Sequence, residues 1–224
     1  MAMGASGTVP PDLELKTQLA LLVHLAILYT TFKQTTTGVK KMKGCRVLEA
    51  HEISELLASL SIRDRVLALT GLTFGTRISE TLALTWGDVR GTYLYLNSAK
   101  GSEKITFQIP ASYRAALVEL EAYYIENGRT LDSETPLFLS RKGVNQSITR
   151  QQASDVMKAA CVTLGIDGKV NTHSMRKSFV TKIYELTGKD IAQTKTYSRH
   201  KSMANLDYYI QTTAKTDLIN QLAW

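Results

Sequence analysis

A histidine and a tyrosine near the end of the chain have the residue types and spacing of a phosphoryl-transfer site. His200 precedes Tyr209 by nine residues. A tyrosine hydroxyl has an ordinary pKa of about 10, so it attacks phosphorus only where cations stabilise its oxyanion and hold the phosphate in line. Further cationic side chains stand upstream, at Arg77, Lys100, His173 and Arg176. We predict that these six residues converge on one phosphate and that Tyr209 attacks it.

Each residue type suits one part of such a displacement. Arginine suits the neutralisation of the non-bridging oxygens, because its planar guanidinium binds two of them at once and keeps its charge. Lysine suits protonation of the leaving oxygen, since neighbouring cations lower its pKa. The sequence has no group of aspartates and glutamates with two-metal spacing, and Cys45 and Cys161 lack the spacing of a zinc site. We therefore expect neither a metal nor another cofactor.

Taken one at a time, these residues also have ordinary structural explanations. Arg77 could simply pair with Glu80 on its own helix, where such a surface pair contributes little. The others could be solvated, helix-terminal or packed side chains: Lys100 in a turn, His173 at a helix start, Arg176 on a surface, His200 and Tyr209 in the core. Their order and context along the chain distinguish the two interpretations.

Charge favours a polyanionic partner. The chain of 224 residues carries 27 lysines and arginines against 20 aspartates and glutamates, a formal net charge of +7. DNA is the commonest partner of such a chain, although a basic soluble protein without that role has the same balance. The most apolar run, 19–28, is too short to span a bilayer, and no secretory signal precedes it. Two unpatterned cysteines fit a reducing compartment, so we predict a cytoplasmic protein.

The start of the chain is predicted to differ from the rest. Residues 1–11 are typical of a flexible leader, or of residues left by expression. An apolar helix is predicted over 12–34, followed by a basic linker over 35–47. The linker cations could be solvated or could follow a DNA backbone: Lys40, Lys41, Lys43 and Arg46.

From Leu48 onward the pattern predicts a mainly α fold with one small antiparallel β-sheet, an α+β arrangement. Strands at 92–97 and 104–109 flank a turn that contains Lys100, and a short strand is possible at 137–139. Trp86-Gly87-Asp88 is read as a helix break. Helices are predicted at 53–60, 64–74, 77–84, 112–127, 149–164, 173–186, 191–198 and 217–224, and the segment 203–210 carries the tyrosines.

The six residues stand in motifs that resemble those of the tyrosine recombinases, also called the phage integrase family. The resemblance covers about 48–210, in which any one motif is moderately specific and the ordered set is strong. The motifs are Gly75-Thr76-Arg77-Ile78-Ser79-Glu80 with Leu84-Thr85-Trp86-Gly87-Asp88-Val89 after it, Ala99-Lys100-Gly101-Ser102-Glu103-Lys104, His173-Ser174-Met175-Arg176 with Phe179-Val180-Thr181, and Ser198-Arg199-His200-Lys201-Ser202.

The resemblance implies the role of each residue. Tyr209 would attack a DNA phosphate and form a covalent 3′-phosphotyrosine, with Arg77 and Arg176 stabilising the transition state. His173 would assist proton transfer at the nucleophile, and His200 would hydrogen-bond a non-bridging oxygen. Lys100, favoured over Lys104 by the motif alignment, would protonate the departing 5′ hydroxyl. The expected partners are double-stranded DNA and further copies of the chain in a synaptic dimer or tetramer, with no membrane and no small-molecule substrate.

The chain departs from the family pattern in two places. Ser198-Arg199 stands where leucine-glycine is usual, and Lys177 stands where histidine or alanine is common. The resemblance also implies an N-terminal core-binding domain, of which 12–47 would be the last helix and the linker. The chain would then be a shortened protein or a minimal recombinase. Residues 211–224 would form a C-terminal helix that docks on a neighbouring protomer, or else packs on its own domain.

Three alternatives stay open. A telomere resolvase or a type IB topoisomerase would use nearly the same residues, and their products, a hairpin or a relaxed circle, would distinguish them. An alternative of another class is an inactive DNA-binding or regulatory module that keeps the fold. The sequence names neither the DNA site nor the task, which could be integration, excision, dimer resolution or transposition.

Overall fold

Helices dominate the residues that the computed structural model describes, which are 44–96, 105–200 and Leu206. These residues belong to one unit that begins at Gly44. The mainly α prediction with one small antiparallel sheet is confirmed. The elements are α1 (Ala50–Ser59), α2 (Ile62–Phe74), α3 (Ile78–Thr81), α4 (Trp86–Arg90), β1 (Tyr93–Leu96), β2 (Ile105–Gln108), α5 (Ala111–Glu126), α6 (Arg150–Thr163), α7 (Thr172–Leu186) and α8 (Ile191–Ser198).

Helix α2 is the central element, packed against both α5 and α7. It approaches α7 closely at Gly71, where a Cβ atom would stand 2.8 Å from Cβ of Met175. Only glycine allows the two backbones to come this near. The helix ends at Gly75, whose φ of 60° lies in the left-handed region. The contact at Gly71 therefore fixes the first turns of α7 beside the end of α2.

Aromatic rings fill the core between α2, α5 and the sheet. The rings of Phe74 and Tyr113 meet edge to face with centroids 4.9 Å apart, and Phe107 of β2 also packs on Phe74, with centroids 5.7 Å apart. The Tyr113 hydroxyl lies 2.7 Å from Oγ1 of Thr70. Burial raises the pKa of Tyr113 far above its ordinary value, because the hydroxyl is cut off from water. The end of α2 is therefore held rigidly against the sheet.

The two strands pair antiparallel, with Tyr93 opposite Gln108 and Leu96 opposite Ile105. Leu94 and Leu96 point into the core, and Tyr93 and Tyr95 face outward. This alternation with period two is the one predicted from the sequence. The predicted turn with Lys100 lies outside the described residues.

The structure corrects three of the predicted elements. Trp86-Gly87-Asp88 does not break a helix but begins α4, whose N-cap residue, Thr85, donates its backbone N–H to Asp88 Oδ2 at 2.8 Å. The helix predicted over 77–84 is shorter, because α3 ends at Thr81. Isolated bridges between Thr85 and Pro136 and between Leu139 and Ser147 replace the strand predicted at 137–139.

Several predicted helices are confirmed to within one or two residues. Helix α6 begins after Thr149, whose side chain accepts a hydrogen bond from the Gln152 backbone in the predicted capping box. Helix α8 has the predicted bounds, and α7 begins one residue early, at Thr172. The predicted helices at 12–34 and 217–224 lie outside the described residues, as does the segment 203–210 apart from Leu206. Among the helices that are described, none is long and apolar enough to cross a membrane.

Candidate active site

Arg176 is the residue that brings the separate motifs together. It lies in the first turns of α7 and is 1% exposed. Its Nη1 donates to the carbonyl oxygen of Gly75, and its Nη2 donates to the carbonyl oxygen of Ser198 at 2.7 Å. The same Nη2 lies 3.3 Å from Nε2 of His200. One guanidinium thus connects the end of α2, the start of α7 and the residues after α8.

Arg77 stands two residues after the end of α2, as the N-cap residue of α3. Its side chain is 40% exposed, and its Nη1 donates to Oε1 of Glu80 at 2.9 Å. Its backbone N–H donates to Oε2 of the same carboxylate at 2.8 Å. The i+3 pairing expected from the sequence is present, but it is not a surface pair, since the Glu80 side chain is only 4% exposed.

Glu80 has a second cationic partner that the sequence analysis did not predict. Nη2 of Arg199 donates to Oε2 of Glu80 at 2.7 Å, and the Arg199 side chain is 1% exposed. Burial alone would raise the pKa of Glu80, but the Arg77 backbone N–H and the Arg199 and Arg77 guanidiniums together hold it below its ordinary value. Glu80 is therefore an ionised carboxylate shared by two arginines.

The hydrogen bonds of His200 define its tautomer. Arginine has no acceptor, so Nε2 of His200 must accept the hydrogen bond from Arg176. The proton then lies on Nδ1, which donates to Oγ of Ser198 at 2.8 Å. Ser198 Oγ in turn donates to the carbonyl oxygen of Lys195 at 3.2 Å. The imidazole is thus neutral and oriented from both sides.

Both histidines of the site titrate below their ordinary range. Burial, and then the nearby cations Arg176 and Arg77, lower the pKa of His200 to about 4. Partial desolvation and the same two arginines also lower the pKa of His173. His173 lies in the first turn of α7, where its backbone N–H donates to Oδ1 of the N-cap residue Asn171 at 2.9 Å. Both imidazoles therefore stand neutral at pH 7 within the field of the arginines.

Four of the six predicted catalytic residues are thus brought together: Arg77, His173, Arg176 and His200. Lys100 and Tyr209 lie outside the described residues. Leu206, three residues before Tyr209, is described, and it is fully buried in a small cluster with Phe179 and Val180 of α7. Leu206 is therefore anchored on the helix that carries His173 and Arg176.

Of the predicted DNA-binding cations, only Arg46 is described, and Lys40, Lys41 and Lys43 lie outside. Arg46 donates from Nη1 and Nη2 to the two carboxylate oxygens of Glu52, at 2.7 and 2.5 Å, and from Nε to the carbonyl oxygen of Asp167 at 2.6 Å. Its role on DNA stays a prediction. In the structure Arg46 holds the segment before α1 against the loop before α7.

Two residues noted in the sequence only as departures, Arg199 and Lys177, make buried contacts that the sequence did not predict. Lys177 is buried, and its Nζ donates to the carbonyl oxygen of Cys45 at 3.1 Å. This contact connects the segment before α1 to α7. For Arg199 a signal was present, because it stands at the position where the family has glycine. No group of histidine, cysteine, aspartate or glutamate in residues 44–96 and 105–200 could hold a metal ion.

Comparison with known proteins identifies the family. The model described as the phage integrase family matches residues 46–216, and the chain therefore belongs to that family. The matched region agrees with the resemblance found over 48–210. The described fold and the order of the motifs are those of a tyrosine recombinase catalytic domain.

Curated tyrosine recombinases are similar over the same region. XerD of Corynebacterium glutamicum is 29% identical over 174 residues, which cover 75% of this chain and 54% of that protein. XerA of Pyrococcus furiosus is 28% identical over 169 residues, which cover 75% of this chain and 56% of the relative. This chain spans about half the length of the curated relatives it matches.

Solved structures share the fold. The crystal structure of XerA recombinase superposes with a TM-score of 0.63 at 20% identity, covering 82% of this chain and 65% of that one. A lambda integrase dimer bound to a COC′ core site gives a TM-score of 0.58 at 19% identity, covering 81% of this chain and 55% of the integrase. At this level of identity, the likeness concerns the fold.

Proposed function

We propose that the chain is the catalytic part of a site-specific DNA recombinase that cuts and rejoins strands through a covalent 3′-phosphotyrosine. The observation that carries this proposal is the set of contacts made by Arg176. Its buried guanidinium joins Gly75, Ser198 and His200, so that three motifs distant in sequence meet at one buried positive charge. Such fixed, desolvated donors stabilise the charge that develops on phosphorus oxygens during transfer.

In the proposed reaction Tyr209 forms a bond to phosphorus while the bond from phosphorus to the 5′ oxygen breaks. The tyrosine proton passes to neutral His173, and Lys100 gives a proton to the departing 5′ hydroxyl. Arg77 and Arg176 bind the non-bridging oxygens. A 5′ hydroxyl of a second duplex then attacks the phosphotyrosine and gives its proton to Lys100, while Tyr209 leaves with the proton returned by His173. The phosphotyrosine conserves the bond energy, so the exchange needs no ATP.

His200 must change its hydrogen bonds to take part. Its Nε2 accepts from Arg176 in the structure, whereas contact with a phosphate oxygen needs a donor. A bound phosphate diester brings negative charge beside the ring and raises its pKa, which favours a proton on Nε2. We propose that DNA binding drives this change, and that the Arg176 Nη2 donor released by His200 then serves the phosphate while Gly75 and Ser198 keep the guanidinium in place.

The remaining parts of the chain are proposed to serve assembly on DNA. The catalytic domain spans 48–210, and 12–47 supplies a helix and a basic linker, with 1–11 as a leader. Lys40, Lys41, Lys43 and Arg46 are proposed to follow the DNA backbone, although Arg46 would have to leave or share Glu52. Residues 211–224 are proposed to dock on a neighbouring protomer in a dimer or tetramer on double-stranded DNA, in the cytoplasm of the host cell.

The experiment is adduct trapping on DNA of unspecified sequence. The chain is incubated with labelled duplexes that have a randomised core and one nick, so that the short 5′-hydroxyl fragment diffuses away. A covalent complex that survives denaturation is expected only with the label on the strand whose 3′ end joins the protein. Label retained through the 5′ end, or no complex with any member of the pool, would contradict the proposal.

The same experiment separates the rival activities. Sequencing the trapped DNA gives the cleavage site, which is then built into a supercoiled circle and a linear duplex. Exchange between two sites supports a recombinase. Relaxation of a circle with one site would indicate a topoisomerase, and closed hairpin ends would indicate a telomere resolvase. Tight binding to the pool without a covalent complex would indicate the inactive DNA-binding module.

A further inference from the structure

Arg199 holds a backbone conformation that suits glycine. It follows α8 with a φ of 56°, in the left-handed region that side chains with a Cβ atom disfavour. The family pattern has glycine at this position. A residue such as arginine persists there only when its surroundings hold it.

The surroundings that hold Arg199 are those of a buried ion pair. Its side chain is 1% exposed, and Nη2 lies 2.7 Å from Oε2 of Glu80. Its Nε and Nη1 are buried without a hydrogen-bond acceptor among residues 44–96, 105–200 and 206. Within that part of the chain, the Glu80 carboxylate is the only group that forms a salt bridge with Arg199.

The Glu80 carboxylate carries this contact onward to Arg77. Its Oε1 accepts from Nη1 of Arg77 at 2.9 Å, and its Oε2 accepts from the Arg77 backbone N–H at 2.8 Å. A pair formed by Arg77 and Glu80 alone has no net charge, which would weaken the attraction of Arg77 for a phosphate. With Arg199 the trio carries one net positive charge. Arg199 thus binds Oε2, the oxygen that also accepts from the Arg77 backbone, while Oε1 accepts from the Arg77 guanidinium.

We propose that Arg199 is a positioning residue that, through Glu80, orients Arg77 and restores its positive charge toward the phosphate. The inference rests on the proposed strand-transfer function for the identity of that phosphate. It assigns a role to the position at which this chain departs from the glycine of its family. The adjacent residues Ser198 and His200 contact Arg176, and Arg199 contacts the carboxylate that binds Arg77. Residues 198–200 are thus connected to both arginines of the site.

A purely structural ion pair makes a different prediction for a double variant. In Arg199→Gly, glycine accommodates the backbone, and Glu80 is left to neutralise Arg77. Adding Glu80→Gln removes the neutralising charge but keeps an oxygen that accepts from the Arg77 backbone. A positioning and charge role therefore predicts that the double variant regains phosphate binding, whereas a purely structural role predicts further loss.

The test uses the whole chain and inorganic phosphate as the probe. Phosphate is titrated into isotopically labelled protein while the Nε–Hε signal of Arg77, assigned with Arg77→Lys, is followed by NMR. Arg199→Gly is expected to weaken phosphate binding by about tenfold, the size of one partly solvated charge interaction. Arg199→Lys should retain most of the affinity, and Arg199→Gly with Glu80→Gln should recover at least half of the loss on a logarithmic scale.

Rates of adduct formation on the trapped DNA site should follow the same order. Wild-type affinity for phosphate in Arg199→Gly, or a double variant no better than Arg199→Gly, would overturn the inference. If the order holds for phosphate but not even the wild type forms an adduct, the positioning role stands and the strand-transfer function fails. Should Arg199→Gly not fold, Arg199→Gln, which lacks the charge but keeps much of the length, takes its place with the same expected order.

Discussion

The two arginines of the site are held in electrically different ways. Arg176 is bound by the backbone carbonyl oxygens of Gly75 and Ser198, which orient its guanidinium without neutralising it. Arg77 is bound by a carboxylate, which orients it but also cancels its charge unless Arg199 is present. Arg176 therefore keeps its positive charge for a phosphate because its acceptors are neutral. Arg77 keeps its charge only because Arg199 offsets the charge of Glu80.

The buried neutral state of His200 makes a prediction about pH. An imidazole in an unfolded chain has a pKa of about 6.5, and that of His200 is lowered to about 4. Between these values the unfolded chain binds a proton that the folded chain does not. The free energy of unfolding should therefore fall as pH falls from about 6.5 to about 4. Above about pH 6.5 His200 should give the free energy of unfolding no dependence on pH.

Urea unfolding at half-unit steps of pH measures this effect. His200→Gln keeps an acceptor for Arg176 but cannot titrate, so its free energy of unfolding should depend less on pH across the window. His51→Gln removes an exposed imidazole of α1 and serves as the matched control. Equal slopes for wild type and His200→Gln would mean that His200 is not held neutral by the fold.

At the scale of elements, the junction where α2 ends beside α7 sets the geometry of the site. Gly75 ends α2 with a left-handed backbone, offers its carbonyl oxygen to Arg176 and lies directly against the Phe179 ring. A Cβ atom at this position would stand 2.2 Å from Cδ1 of Phe179. One glycine thus ends a helix, admits an aromatic ring and holds an arginine.

Gly75→Ala should therefore destabilise the protein by more than about 2 kcal/mol, since a left-handed backbone cost and steric overlap act together. Gly165→Ala is the control, because Gly165 ends α6 with a similar φ of 66° but has open space where a Cβ would lie. It should cost only about 1 kcal/mol. Urea unfolding compares the two. Equal losses would show that Phe179 yields and that the contact with α7 does not constrain this turn.

The sequence predicts those elements whose signals are local. Thr149 and Gln152 begin α6, and Gly75 ends α2, because caps and left-handed glycines act over a few residues. Helix α4 was missed although Thr85 and Asp88 give it a local cap, and its first turn is also held by residues far away in the chain. The Gly87 backbone N–H donates to the carbonyl oxygen of Ser133 at 2.8 Å. A pattern read along one segment contains no information about such a partner.

The residues of the candidate site also divide into those that the sequence predicts and those that depend on contacts far apart in the chain. The residue types and order of Arg77, His173, Arg176 and His200 are enough to predict that they meet. The role of Arg199 could not be predicted, because it depends on a left-handed turn that points the side chain back toward Glu80, 119 residues earlier. The sequence identified the position as unusual, and only the geometry relates it to Arg77.

At the scale of the whole molecule, the excess of positive charge predicts a steep dependence of DNA binding on salt. Each phosphate contact contributes a slope of about 0.9 in a plot of log affinity against log salt. Replacing Lys40, Lys41 and Lys43 together with glutamine should lower the slope by about two to three, if all three lysines follow the backbone.

Fluorescence anisotropy with a labelled duplex, at several salt concentrations, gives both slopes. The triple variant is preferable to a deletion through Arg46, because Arg46 holds Glu52 and the loop before α7 and its loss would disturb the fold. The exposed lysines Lys142, Lys158 and Lys169, replaced in the same way, serve as the control for the same change in net charge. Equal slopes for the two variants would show that the linker does not contact DNA.

The central claim is that Tyr209 becomes covalently attached to DNA, and its most direct test is adduct formation by two phenylalanine variants. Tyr208 and Tyr209 are adjacent, so on a helix their side chains would point about 100° apart and one of them alone would face the phosphate. Tyr209→Phe removes one hydroxyl, so folding and DNA binding should survive while the adduct disappears. Tyr208→Phe should keep the adduct, and mass spectrometry of the wild-type adduct should find the nucleotide on Tyr209. An adduct that persists in Tyr209→Phe would contradict the account.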